Sequence, residues 1–444
     1  MKISSQLLRC SGVGALGGLL FGFDTAVISG TTQQLREAFQ LSAWSLGTTV
    51  SIALWGTVLG CAGSGVLGQK LGGRSALRVM AVLYIASAAG CAFAWNWPAL
   101  LIARFIGGLG IGGSSVLGPV YIAEVAPARW RGRLVGMFQI NIVLGILVAY
   151  LSNYIISSMN LGAMEWRWEL GIATFPAILF LVMLYTIPQS PRWLAANGRS
   201  HEALEILTQL GSHDPRAEMA AIDASLQRTH RHENTPLFQR RFALPIFLAA
   251  SIGLFNQLAG VNAILYYATD IFRAAGFSRM SGNLQSVLIG VMNLVGTAIG
   301  MSLIDKAGRK TLLVVGSIGT GLCLAGVAVV FLTHTHPGML VWLLMAFICF
   351  FAASQGAVIW VYIAEVFPTQ VRSKGQSLGS GSHWVMNAII AFAFPVVAQR
   401  SNGAPFVFFA CMMLVQLIVV WKVYPETKGR TLEELQVQLQ TNGD

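Results

Sequence analysis

Long apolar runs separated by short polar segments recur along the whole chain. They fall at 10–30, 45–67, 79–95, 99–122, 133–156, 168–187, 243–268, 283–304, 311–333, 339–363, 377–398 and 404–424. A helix needs about 20 apolar residues to cross the hydrocarbon core of a bilayer. The pattern therefore predicts twelve membrane-spanning helices, with both termini on one side. The longest polar stretch, 188–241, interrupts the series between spans six and seven. It predicts short amphipathic helices. Asp214 before Pro215 reads as an N-cap with proline at the first helical position. Leu204, Leu207 and Leu210 recur at helical spacing. Near the C-terminus, Thr431 and Glu434 form a capping box that opens a helix in the tail.

The charges give the pattern a direction. Of the 29 Lys and Arg, only Arg36, Arg167, Arg273, Arg279 and Arg400 fall in one set of loops. Arg104 lies inside a span, and all the others sit at the termini and in the alternate loops. Basic residues stay on the cytoplasmic side, so both termini are expected in the cytoplasm. The chain then divides into a first six-helix bundle (1–187), a cytoplasmic linker (188–241), a second six-helix bundle (242–424) and a cytoplasmic tail (425–444).

Composition excludes several other classes. Charged residues make up only 11% of the 444, and 55% are apolar. An average soluble domain is about 25% charged. The net charge of +11 is spread through short segments between apolar runs. A nucleic-acid binder gathers its charge on one water-facing surface, so no nucleic-acid partner is expected. Cys10, Cys61, Cys91, Cys323, Cys349 and Cys411 lie in apolar stretches without metal-ligand spacing. The seven histidines show none either. Neither a metal site, a cofactor nor a disulfide framework is expected. The first apolar run has no small-residue cleavage site after it and reads as a retained helix. GLGIGG at 108–113 lies inside an apolar span, where close helix packing explains it better than a dinucleotide site. GQSLG at 375–379 lacks the strand–turn–helix setting of a nucleophile elbow. No phosphate-binding G-x-x-x-x-G-K-[ST] is present. No catalytic constellation appears, and no enzyme is expected.

An internal repeat organises the rest. Residues 121–131 read YIAEVAPARWR and residues 362–372 read YIAEVFPTQVR, with seven of eleven positions identical. Each copy follows the fourth span of its half. A weaker pair, GQKLGGR (68–74) and IDKAGRK (304–310), follows each second span. Duplicated six-helix units are a transporter architecture with substrate bound near the midplane.

These segments, with LFGFDTAVISG (20–30), RFIGG (104–108), PQSPR (188–192), NQLAGVNAILYY (256–267) and PETKGRTLEEL (425–435), resemble the sugar porter family of the major facilitator superfamily. The resemblance runs in order over almost the whole chain. It implies an all-α membrane protein, with twelve transmembrane helices in two pseudo-symmetric six-helix bundles. It also implies alternating access to a midplane sugar site.

Asp24 sits inside an apolar span, where a charge costs roughly 2.5–3.5 kcal/mol on insertion scales. Arg104 is the one intramembrane cation of the sequence. A carboxylate that changes its pairing with an arginine on protonation meets the physical requirement of proton coupling. The resemblance agrees, because proton-coupled sugar porters carry an acid here and facilitative ones commonly a neutral residue. A purely structural ion pair is the other reading.

A sugar site needs hydrogen-bonding amides and aromatic faces, because each buried hydroxyl wants a partner. Span seven supplies Asn256, Gln257 and Asn262. In a continuous helix Gln257 and Asn262 lie about 140° apart and share a cavity only if its wall is broad. The resemblance implies sugar contacts from Gln139, Gln257, Asn262, Asn293 and Trp360, with Phe21 and Trp384 adding ring faces. For a lone amide, interhelical hydrogen bonding is the alternative. The chain departs from the family at Asn256, where glutamine is usual. It departs again at Gly356-Ala357, where Gly-Pro is usual, and at His383, where an amide is usual. Sugar contact, titration near neutral pH and simple packing are all open to His383.

By resemblance, Glu124, Arg131, Glu365 and Arg372 belong to a cytoplasmic charge network joined by Arg74, Asp305, Arg309 and Lys310. Solvation of helix ends is the alternative. In the first half Gln69 and Gly73 stand where the family has an acid and an arginine, which predicts a weaker network there. Tyr266 and Tyr267 resemble an outer gate, with packing as the alternative. The expected function is proton-coupled import of a hexose or pentose across a bacterial-type inner membrane by a monomer. A facilitative uniporter, a polyol transporter and a non-transporting sugar sensor are the alternatives.

Overall fold

The structure, a computed structural model, describes residues 4–212, 214–232, 236–368 and 371–428. Thr431 and Glu434 lie outside the described residues. Every regular element described is a helix. In the first half these are α1 (Ser5–Phe39), α2 (Ala43–Leu71), α3 (Gly73–Ala92), α4 (Trp97–Val125), α5 (Ala128–Ser158), α6 (Glu165–Gly171) and α7 (Thr174–Met183). Three short helices follow: α8 (Pro191–Ala196), α9 (Ser200–Gln209) and α10 (Pro215–His232). The second half contains α11 (Ala243–Leu258), α12 (Val261–Tyr266), α13 (Ala268–Ala274), α14 (Arg279–Ala307), α15 (Arg309–Thr333), α16 (Met339–Ala353), α17 (Gln355–Glu365), α18 (Arg372–Arg400) and α19 (Ala404–Val423).

The described residues contain twelve candidate membrane spans. Several helices outrun their apolar stretch. The 35 residues of α1 make a rod of about 52 Å, well beyond a hydrocarbon core of about 30 Å. Tryptophans cluster at helix ends and stay exposed: Trp44 opening α2, Trp168 in α6, Trp342 near the start of α16 and Trp421 near the end of α19. That placement suits the membrane–water interface. Of the six free cysteines, Cys411 is exposed.

Contacts divide the chain into two compact units. One holds the described residues up to 27, with 52–152 and 161–234. The other holds 28–51, 153–160 and the described residues from 235 onward. In the first unit, Leu20, Leu77, Tyr121, Phe138 and Phe180 belong to one apolar core. In the second, Leu248, Leu313, Tyr362, Phe367 and Tyr424 form another.

The polar stretch folds as short helices. Asp214 Oδ1 accepts the Ala217 N–H at 2.9 Å, with Pro215 opening α10. Leu194, Ala203, Leu207 and Met219 bury against one another in a small core of their own, with Leu204 packed beside it. Ser4 Oγ donates to Leu210 O at 2.7 Å, tying the start of the chain to the end of α9.

Two spans of the second unit are broken. Between α11 and α12, Gly260 adopts φ +80°, and a Cβ there would collide with the Phe409 ring. Only glycine takes that backbone position without strain. Between α16 and α17 the break falls at Ser354, with φ −122° and ψ −86°. This span therefore interrupts its helix with no proline at the break, which is followed by Gly356-Ala357.

Candidate functional site

In the first unit, α1 and α4 bring Asp24 and Arg104 into the wall of one internal cavity. Tyr84, Ser87 and Cys91 of α3 line the same space, with Leu170 and Ala173. Asp24 is half-buried, and Arg104 is only 4% exposed. The two opposite charges act on each other across this space. Tyr84 Oη and Ser114 Oγ share a hydrogen bond at 3.0 Å, which fixes the phenol at the cavity edge. Apolar walls strengthen any charge interaction inside them, so a change in protonation of Asp24 alters the local field strongly. The α3 contributors lie in a span whose pattern is simply apolar, and no sequence signal singled them out.

The second unit assembles the amides. Asn262 Nδ2 donates to Gln257 Oε1 at 3.0 Å. Gln257 Nε2 donates to Asn256 Oδ1 at 3.2 Å and lies 3.2 and 3.3 Å from the two ring nitrogens of His383. Asn256 Nδ2 reaches the Gln355 carbonyl at 3.4 Å, beside the break of span ten. The separation of about 140° that a continuous helix imposes does not hold, because the turn at Gly260 redirects Asn262 back toward Gln257. His383 is buried between two indoles. Its ring centroid lies 5.1 Å from that of Trp360 and 5.1 Å from that of Trp384. Trp384 is buried, whereas Trp360 is 39% exposed and presents a free ring face. Asn293 is half-buried on α14. In the first unit, Gln139 is half-buried on α5, and Phe21 packs at the edge of the apolar core.

Tyr266 accepts a hydrogen bond from Asn387 Nδ2 at 3.1 Å. Tyr267 Oη donates to Ala391 O at 2.9 Å and its ring stacks on Phe394. Both tyrosines thus fasten span seven to α18.

The polar helix ends carry the charge network. In the second unit Arg309 bonds Glu365 at 2.9 Å and Asp305 at 3.2 Å. Thr427 Oγ1 donates to the other Glu365 oxygen at 2.6 Å. Arg372 Nε donates to Phe367 O at 3.3 Å, and Lys310 Nζ to Trp421 O at 2.9 Å. In the first unit Glu124 bonds the Ser190 hydroxyl, with Arg192 as its nearby cation. Arg131 donates to Ala126 O at 3.5 Å and Arg74 to Ile187 O at 3.1 Å. Sequence reasoning missed Ser190, Thr427, Gln189 and Glu426. Their matching places, just after spans six and twelve, were the available signal.

A family model for sugar (and other) transporters matches residues 10–439. The D-xylose-proton symporter of Escherichia coli is 35% identical, over 98% of this chain and 96% of that protein. The arabinose-proton symporter of Bacillus subtilis is 34% identical, over 97% of this chain and 94% of that protein. An inward-open structure of the E. coli xylose transporter superposes with a TM-score of 0.88 at 33% identity, covering 97% of this chain and 99% of that one. The same proton:xylose symporter bound to 6-bromo-6-deoxy-D-glucose superposes with a TM-score of 0.81 at 33% identity, covering 99% of this chain and all of that one. The chain is an integral, multi-pass membrane protein and belongs to the sugar transporter family, the sugar porters of the major facilitator superfamily.

Proposed function

We propose that this chain imports a monosaccharide, a hexose or pentose, together with protons by alternating access. The observation that carries the reading is the cavity shared by Asp24 and Arg104 inside an apolar unit. Charges are kept at such depth for ion pathways and relays. Protonation of Asp24 releases Arg104, and deprotonation recaptures it, which couples proton occupancy to helix rearrangement. The relatives named as xylose-proton and arabinose-proton symporters support the substrate class.

Sugar hydroxyls bind to Gln257, Asn262, Asn256 and His383, and the open face of Trp360 stacks on the pyranose ring. Gln139, Asn293, Phe21 and Trp384 complete the site in this reading. Glu124, Arg131, Asp305, Arg309, Glu365 and Arg372 form the cytoplasmic gate, and Tyr266 and Tyr267 the outer one. The two six-helix bundles are joined by the cytoplasmic linker at 188–241. The bias of basic residues supports cytoplasmic termini in a cell inner membrane. The protein works as a monomer and performs no covalent chemistry.

The test is uptake of labelled xylose and glucose into proteoliposomes with and without an inward proton gradient. Wild type accumulates sugar above equilibrium, and a protonophore abolishes the accumulation. Asp24→Asn loses accumulation and keeps sugar exchange. Undiminished accumulation in that variant would overturn the coupling role and leave Asp24 and Arg104 as a structural pair in a facilitative carrier.

A further inference from the structure

Span seven continues past its two tyrosines into α13, a rod of seven residues set off from α12 at Tyr267. Along the chain from the linker, the order is Gln257, then Tyr266 and Tyr267, then Asp270. The half-helix α13 therefore lies on the far side of the amide cluster from the linker. Asp270 is half-buried on α13, and its carboxylate is hydrogen-bonded by the side chain of Thr32, a buried residue near the far end of α1. Two guanidinium groups act on the same carboxylate, Arg36 one turn further along α1 and Arg273 on α13 itself. On its other flank, α13 is held to α14 by Thr269 Oγ1 donating to Asn283 Oδ1 at 3.0 Å.

The neighbouring far end of α2 packs as tightly. The Trp44 and Phe392 rings meet edge-on at 5.2 Å, and a Cβ on Gly47 would collide with the Phe392 carbonyl. That second contact is apolar and non-directional. The Asp270 contact is different, because the carboxylate accepts a directional hydrogen bond from a hydroxyl within the field of two guanidinium groups. It also ties a short, hinged element to a long rigid helix.

The geometry points to Asp270 as a positioning residue that latches α13 to α1, a latch that opens whenever the amide cluster is exposed to the far side of the membrane. Arg36 and Thr32 are its receiving half. This inference rests on the alternating-access reading for its role in transport, but the latch itself is measurable without sugar or a proton gradient.

Amide hydrogen exchange on the full chain in nanodiscs reads it directly, because local opening sets the exchange rate. Asp270→Asn is expected to speed exchange about tenfold in residues 268–274 and 30–36, with the rest of the chain unchanged. Thr32→Val, which removes only the hydroxyl, speeds the same two segments about threefold. Asp270→Glu restores most of the protection. In reconstituted vesicles, Asp270→Asn lowers the half-saturating sugar concentration on the far side and raises it on the linker side. Wild-type exchange in both segments overturns the proposal. So does acceleration spread evenly over the whole chain, which marks Asp270 as ordinary packing. Loss of sugar transport by wild type affects only the reading under Proposed function and leaves the exchange result decisive.

Discussion

At the polar start of α3, Gln189 reaches across to close the helix; at the polar start of α15, Glu426 takes the matching place. Gln189 Oε1 accepts the Arg74 N–H at 2.9 Å, while its Nε2 donates to Leu71 O at 3.0 Å. Glu426 instead accepts from the backbone N–H groups of Arg309, Lys310, Thr427 and Lys428, at 2.9 to 3.0 Å. The frame around the two is shared. Tyr121 donates to Pro188 O and Tyr362 to Pro425 O. Ser190 meets Glu124 as Thr427 meets Glu365. Gly72 (φ +78°) and Gly308 (φ +91°) precede the two helices. What differs is charge. Arg309 joins Glu365 and Asp305, whereas Gly73 and Gln69 offer neither arginine nor acid. At Gly73 the space is already occupied, since a Cβ would stand 3.3 Å from the Tyr121 ring. One clasp has thus been built twice, its helix-closing residue once a neutral amide and once a carboxylate held against a helix N-terminus.

The sharpest way to break the comparison is Arg309→Ala. It strips the second clasp of its cation, leaves Glu365 half-buried beside Asp305, and should cost about 2–3 kcal/mol. Hydrogen exchange across 304–312 measures that loss, and 68–76 should stay unchanged. A smaller effect is expected from Gly308→Ala and Gly72→Ala. Each puts a side chain where φ is positive and ψ is extended, at about 2 kcal/mol by backbone strain. Each new Cβ also collides with its own clasp, at Gly308 with the Glu426 carboxylate and at Gly72 with the Gln189 amide and Trp193, so both variants should lower the melting temperature by more than strain alone; an unchanged melting temperature in either would argue against a common frame.

The smallest effect sharpens the contrast by pH. Burial alone would raise the Glu426 carboxyl, but its backbone N–H partners outweigh that and hold it below its ordinary range. Its stabilisation is therefore complete above the usual carboxylate range and is lost as pH falls through the lowered value. Glu426→Gln should remove about 1 kcal/mol at neutral pH, a modest figure because solvent screens the site. It should also flatten the acid limb of thermal stability, while Gln189→Ala leaves that limb as steep as in wild type.

The fold was legible because lipid leaves so few solutions. An apolar run of 20 residues without an internal hydrogen-bond partner must become a helix, and twelve such runs were plain. Helix ends were less so. The amphipathic turns that carry α1 to Phe39 do not differ in composition from a loop. The breaks were hidden for another reason. Gly260 is one of 48 glycines, and only the Phe409 ring pressed against it distinguishes it. The proximity of Gln257 and Asn262 follows from that single turn, so a straight-helix reading separated residues that in fact hydrogen-bond. Asp24 and Arg104 were legible as a pair because charge is scarce in apolar spans. Tyr84, Ser87 and Cys91 around them were not, because ordinary spans contain such residues.

The tryptophans have an optical consequence. Of the twelve, Trp360 and Trp384 stand at the proposed sugar site, while Trp44, Trp55, Trp95, Trp168, Trp342 and Trp421 are exposed on the outside of the helices and at their ends. Intrinsic emission from this protein is therefore dominated by rings that sense the depth and polarity of the surrounding bilayer. A brominated lipid should quench much of it, whereas sugar should dim only a minor share. Replacing every indole except Trp360 and Trp384 with phenylalanine would turn a gauge of membrane immersion into a reporter of ligand occupancy.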